Sequence, residues 1–321
     1  MPVLHHRNTP APAPTRAATK QYIYADDPFK SVHADMLLRT SDGVEFRVHK
    51  AILIVSSSLE EGVLNAIRDS GGRLATNPLP LDPQRRLIFY VKENSATLDP
   101  LLRILYSAAE NCSIQNIETI FSVLEAARQY QLIPAIKVMR KVVAEYAAIN
   151  PVRVYVMARQ RHWESEMKSA AKSTLGYNIQ KAFSQELRTQ PYGVYDGLLQ
   201  YQTACARAAS ATLEDLGWME RIAMSEGWKP CWSTCNNIPA CRESFDAHPR
   251  WLDHYLSVVH GALRARPRGG TLGDNVSMTA ALSLAFACSK CRGTVFSDLN
   301  KFNNLLARKV EEAIDEVVCS S

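Results

Sequence analysis

Hydrophobic and polar positions change their period along this chain, and the changes mark its elements. Val44, Phe46 and Val48 alternate with Glu45 and Arg47, the period of a half-buried strand. Met36–Arg39 is a short apolar run just upstream, and Ser41-Asp42-Gly43 between them is turn chemistry. Two strands joined by such a turn make a β-hairpin. His49–Val55 and Leu59–Ile67 read as short helices. Residues 68–86 hold Gly71, Gly72, Pro78, Pro80 and Pro83 and read as a polar loop. Leu87–Val91, β-branched and aromatic, reads as a third strand.

Beyond residue 95 the apolar period becomes helical. Leu101, Leu102 and Leu105 share a face, and Ile117, Ile120, Phe121 and Leu124 stand at i, i+3, i+4 and i+7. Pro134 ends one helix and opens the next, whose stripe is Ile136, Met139, Val143 and Tyr146. Asn150-Pro151 is a helix start, a capping residue followed by a proline whose missing N–H is no loss there. Trp163, Met167, Ala170 and Ala171 extend the pattern to Gly176. Further helices are expected over 196–209, 249–263, 277–287 and 296–318. The last carries Leu299, Phe302, Leu306, Val310, Ala313 and Val317 on one face. Residues 264–275 are expected to form an exposed loop.

The chain has 321 residues, 46% hydrophobic and 21% charged, an ordinary globular balance that excludes disorder of the whole. At about 150 residues per domain, this length predicts two domains. Residues 1–27, with four prolines among small and polar residues, read as a flexible tail. Net charge is +5, too small a surplus on so long a chain to mark a nucleic-acid binder. No apolar run is long enough to span a bilayer, and the N-terminus lacks the apolar stretch of a signal peptide. The expectation is a soluble protein of the cytoplasm or nucleus with no membrane partner. There, eight cysteines read as free thiols or metal ligands rather than disulfides.

The stretch from Phe29 to Leu53, through Ala34-Asp35, Asp42-Gly43, Phe46, Val48 and His49-Lys50, resembles the start of a BTB/POZ domain. The apolar helix ending Leu101–Ser107 (LLRILYS) and the helix pair Ile117–Leu132 and Pro134–Ala147 are similar to the later helices of that family. The resemblance covers about residues 29–147, and the whole chain is loosely similar to the expanded fungal BTB/POZ proteins, in which a helical region with late cysteines comes after the domain. It implies an α+β chain: a BTB/POZ-like α/β domain at 28–147, then an all-helical region at 148–321. It also implies partly buried Asp35 and His49 in hydrogen-bonding roles. The function implied is protein–protein interaction, as a self-associating scaffold or as an adaptor docking a cullin of a ubiquitin ligase while a second region holds the substrate.

Cysteines cluster late. Cys231 and Cys235 have CxxxC spacing, Cys288 and Cys291 have CxxC spacing, and two such pairs can place four thiolates around a structural Zn²⁺. Three other ligands are in reach of that scheme. Cys241 lies six positions after Cys235, and Cys231-x3-Cys235-x12-His248-x5-His254 satisfies C₂H₂ finger spacing. Pro239 in the usual Phe slot fits a finger poorly, and Pro249 breaks the helix that a finger needs between its histidines. The plain alternative is that the thiols are buried small hydrophobes. Cys112, Cys205 and Cys319 have no partner spacing.

Arg264, Arg266 and Arg268, followed by two glycines, resemble half of a minor-groove hook. They give the alternative reading of a transcription-associated DNA-binding protein, but a solvated loop explains them better. The P-loop, HExxH, GxSxG and dinucleotide-turn patterns are missing from the sequence, so the expectation is a binding protein and not an enzyme.

Overall fold

A computed structural model of the chain describes residues 22–57, 62–70, 80–106, 114, 116–177, 192–235, 241, 248–273 and 275–319. It is mixed α+β and mostly helical, with one four-stranded sheet. The chain divides into two compact units, Met1–Met139 and Arg140–Ser321.

The first unit is built on the expected hairpin. Strands β2 (Met36–Arg39) and β3 (Val44–Val48) pair antiparallel, with Leu38 opposite Phe46. The turn closes because Gly43 takes φ +85°, a conformation open to glycine, and because the Thr40 hydroxyl accepts from the Val44 N–H at 2.9 Å. Strand β4 (Leu87–Tyr90) pairs parallel on the other side of β2. The sheet order is β1-β3-β2-β4. Successive residues Met36, Leu37 and Leu38 are all buried, so this central strand is covered on both faces.

Strand β1 (Ile23–Tyr24) corrects the expected tail. It pairs parallel with β3, and Ala25 N–H donates to Glu45 O at 2.9 Å. Its side chains are exposed, so no apolar period announced it; the backbone ladder and the Arg47 guanidinium over the Tyr24 ring hold it. Residues 1–21 of that tail lie outside the described residues, as do residues 71–79 of the 68–86 loop.

Helix α1 (Lys50–Ser56) follows the hairpin, and α2 spans Gly62–Ser70. Asp35 Oδ1 accepts from the Lys50 N–H at 2.8 Å, and the Tyr106 hydroxyl accepts from the His49 N–H at 2.8 Å. Asp35 and His49 therefore hold the strand-to-helix corner, although Asp35 is exposed rather than partly buried. Helix α3 (Ser95–Leu105) is capped by Asn94, which accepts from the Thr97 N–H, and α4 (Ile117–Gln129) by Asn116. Phe121 and Leu124 of α4 are fully buried. The division between the units falls within α5 (Ile133–Ile149).

The second unit is helical. Helices α6 (Pro151–Gln160) and α7 (Glu164–Thr174) pack on each other. Asn150 precedes Pro151 as expected but makes no side-chain capping bond. Then come α8 (Tyr192–Glu214), α9 (Gly217–Glu226), the single turn α10 (Cys231–Thr234), α11 (Arg250–Ala265), α12 (Asn275–Ala285) and α13 (Val295–Asp315). Helix α13 buries Leu299, Phe302, Leu306, Val310 and Ile314. The stripe passes to Ile314 where Ala313 and Val317 were expected, and both of these are half-buried.

Phe302 is the hub of an aromatic core. Trp232 meets it edge-on at 6.0 Å, and Trp218 stacks on it at 6.2 Å. Trp232 also meets Trp228 and Trp251 edge-on, the geometry that aromatic quadrupoles favour.

The 264–275 segment is not the expected free loop. Gly269–Gly273 forms a 3₁₀ helix against α13, burying Gly269, Thr271 and Leu272. The Gly269 N–H donates to Glu311 Oε1 at 2.8 Å. A β-carbon at Gly269 would stand 2.6 Å from Ala307 O, so only glycine lets these backbones approach so closely. Among the described residues no helix is long and apolar enough to cross a membrane.

Candidate metal centre

The site grows from the ends of three short elements. Turn α10 begins at Cys231 and hands its last position to Cys235. The chain returns at Cys241, whose carbonyl accepts from the Arg250 N–H as α11 starts. Helix α12 ends at Ala285; Cys288 follows, and Cys291 opens a 3₁₀ turn ending at Gly293. Each segment is too short to fix its own geometry. Packing fixes it, with Asp298 of α13 accepting from both the Cys231 N–H and the Trp228 indole N–H at 2.9 Å.

The Sγ atoms of Cys235, Cys241, Cys288 and Cys291 all lie within 4.8 Å of one another, and all four residues are buried. Cys241 Sγ stands 3.5 Å from Cys235 Sγ and 3.7 Å from Cys291 Sγ. A disulfide needs about 2.05 Å, so these are separate thiols. Four sulfurs at ~2.3 Å from a tetrahedral Zn²⁺ stand ~3.8 Å from one another. The two short separations, 3.5 and 3.7 Å, are close to that value, and the four sulfurs together could hold a metal ion.

Burial and neighbouring thiols disfavour ionisation at three of the four sulfurs. Burial pushes the Cys235 thiol up to about 11. Burial and the neighbouring thiols raise Cys241. Cys291 is raised by its hydrogen bond with the Cys231 thiol and by burial. At Cys288 burial acts upward, but the N–H groups of Cys291 and Lys290 outweigh it and bring the thiol below its ordinary value. Four thiolates in one buried space need a cation to offset their charge, and soft sulfur donors in a tetrahedron suit zinc.

The cluster holds three of the expected ligands together with Cys241, one of the alternatives. Cys235, Cys288 and Cys291 come together as the two-pair scheme requires, but Cys241 is the fourth sulfur in place of Cys231. Cys231 is buried beside the cage, and its thiol bonds to Cys291. His248 and His254 join no metal-ligand group among the described residues; His254 is exposed on α11, which starts only after Pro249. Pro239 of the finger scheme, and Cys112, lie outside the described residues. Cys205 is buried and Cys319 half-buried, both as free thiols. Neither protein-family models nor curated proteins yield a match to this chain.

Proposed function

We propose that this protein is a protein–protein interaction module whose helical unit is stapled by one structural zinc ion. The observation that carries the zinc reading is the buried set of four sulfurs lying within 4.8 Å of one another. Four protein ligands leave no position for water or substrate, so such an ion fixes a fold and does not activate a reaction.

In this reading the first unit is a BTB/POZ-like domain and does the docking. Support comes from the antiparallel hairpin running into α1 through the Asp35 and His49 corner, and from the α3–α4 pair beyond it. The residues from Leu98 to Leu132 are the surface we assign to a cullin partner, with the helical unit holding a second protein. The test is affinity purification of the tagged full chain from its native cells, with mass spectrometry of the co-eluting proteins. Recovery of a cullin together with ubiquitin-ligase components is the expected result. Recovery of the chain alone, with light scattering giving a multiple of 35.8 kDa, replaces the adaptor with a self-associating scaffold.

A further inference from the structure

An open groove of about 800 Å³ runs between α8 and α11, well apart in sequence from the cysteines. Thr203, Arg207 and Ser210 line it from α8, and His260 and Arg264 from α11. Ser210 is the informative residue. A serine inside a helix ordinarily returns its hydroxyl to a carbonyl one turn back. Thr203 does so to Leu199 O at 2.8 Å, and Thr212 bonds Ala209 O at 2.6 Å. Ser210 does not: it is 7% exposed, and its Oγ has no hydrogen-bond partner among the described residues. A buried hydroxyl left unpaired is unfavourable, and no described residue supplies its partner.

The walls point to the charge of that partner. Arg207 and Arg264 are exposed, stand on the two helices that form the groove, and make no ion pair with any described residue. Glu214 is the one acidic residue of the lining. A guanidinium is a planar fork of donors matched to oxyanions. Two forks and a hydroxyl offer more donors than the two oxygens of a carboxylate can use, and suit the three terminal oxygens of a phosphate ester.

We propose that this groove binds a phosphate monoester, held by Arg207 and Arg264 with the Ser210 hydroxyl donating to one oxygen. The inference rests neither on the zinc cage nor on the cullin reading, so either can fail without it. The test titrates the full-length chain with inorganic phosphate, with O-phosphoserine and with a phosphoserine peptide at constant ionic strength. Calorimetry reads binding, and unphosphorylated serine and peptide serve as controls. Arg207→Gln and Arg264→Gln should each weaken binding about tenfold. Ser210→Ala should weaken it by a smaller factor while leaving the melting temperature of the free chain unchanged or higher. Tighter binding of the phosphopeptide than of phosphate identifies a phosphorylated segment as the source; the reverse identifies free phosphate. Equal affinity in wild type and both arginine variants, or heat no different from the controls, overturns the proposal.

Discussion

Two carboxylates show how single residues hold each unit. Asp42, in the hairpin turn, accepts from the Ser95 N–H at 3.0 Å and from the Ser95 hydroxyl at 2.6 Å. It thereby pins the turn to the first residue of α3. Partial burial acts to raise its pKa, but the hydrogen bonds from Ser95 and Thr40 outweigh this and hold the carboxyl below its usual value. A depressed folded-state pKa contributes stability above the unfolded value of about 3.9, and that stability is lost as pH falls through the folded value. Asp42→Ala should therefore destabilise by about 1 kcal/mol at pH 7, as the loss of a helix-start acceptor does. Thermal melts should show the gap to wild type closing below pH 4; a gap that persists there contradicts an ionic role for Asp42.

Asp298 does the same work in the helical unit from a buried position. It is 8% exposed and accepts from the Trp228 indole N–H and the Cys231 N–H. Asp298→Ala strands both donors, and charge-assisted bonds of this kind contribute about 1.5–3 kcal/mol. Denaturant melts should show a loss of roughly 2–4 kcal/mol. Asp298→Asn, which keeps one acceptor oxygen, should recover part of it. A loss no larger than that of an exposed-site control removes Asp298 as the tie between the Cys231 turn and α13.

At the scale of elements, the close contact of the 3₁₀ helix with α13 makes a sharp contrast between neighbouring glycines. At Gly269 an added methyl meets backbone 2.6 Å away, whereas at Gly270 it meets only the flexible Arg268 side chain at 3.5 Å. Gly269→Ala should cost about 1–3 kcal/mol, since backbone cannot yield as a side chain can. Gly270→Ala should be nearly neutral in the same melts, and equal effects would show that the turn does not dock on Ala307.

Elements with long or strict periods were readable from the sequence, and those held by contacts from elsewhere were not. The hairpin was plain because Val44, Phe46 and Val48 alternate around a D-G turn. Helix α13 was plain because its apolar stripe recurs over five turns. Helix α9 escaped because ten residues holding Trp218, Met219 and Ile222 give too little periodicity. Its stop signal was nevertheless present: Gly227 takes φ +63°, and Trp228 N–H donates to Ala223 O, a Schellman closure. Strand β1 escaped because its exposed side chains carry no pattern at all.

For the molecule as a whole, the four-cysteine cluster is the candidate staple of the helical unit. Its sulfurs come from two stretches, Cys235 with Cys241 and Cys288 with Cys291, on opposite sides of α11 and α12 in sequence. An ion there closes a long loop that a core of this size closes less firmly alone. The CxxC pair and Cys235 were legible as candidate metal ligands. The choice between Cys231 and Cys241 was not. CxxxC looked the better knuckle, while five intervening residues between Cys235 and Cys241 have no local signature, and only tertiary packing brings the Cys241 thiol into the group of four.

That choice makes the most direct test. Zinc should be measured by plasma mass spectrometry on the purified full chain, on Cys231→Ser and on Cys241→Ser, with melting curves before and after a strong chelator. Wild type and Cys231→Ser should hold close to one zinc per chain, Cys241→Ser should lose most of it, and chelation should lower the melting temperature. Zinc absent from the wild type with melting unmoved by chelator, or zinc lost from Cys231→Ser and kept by Cys241→Ser, would contradict this ligand set.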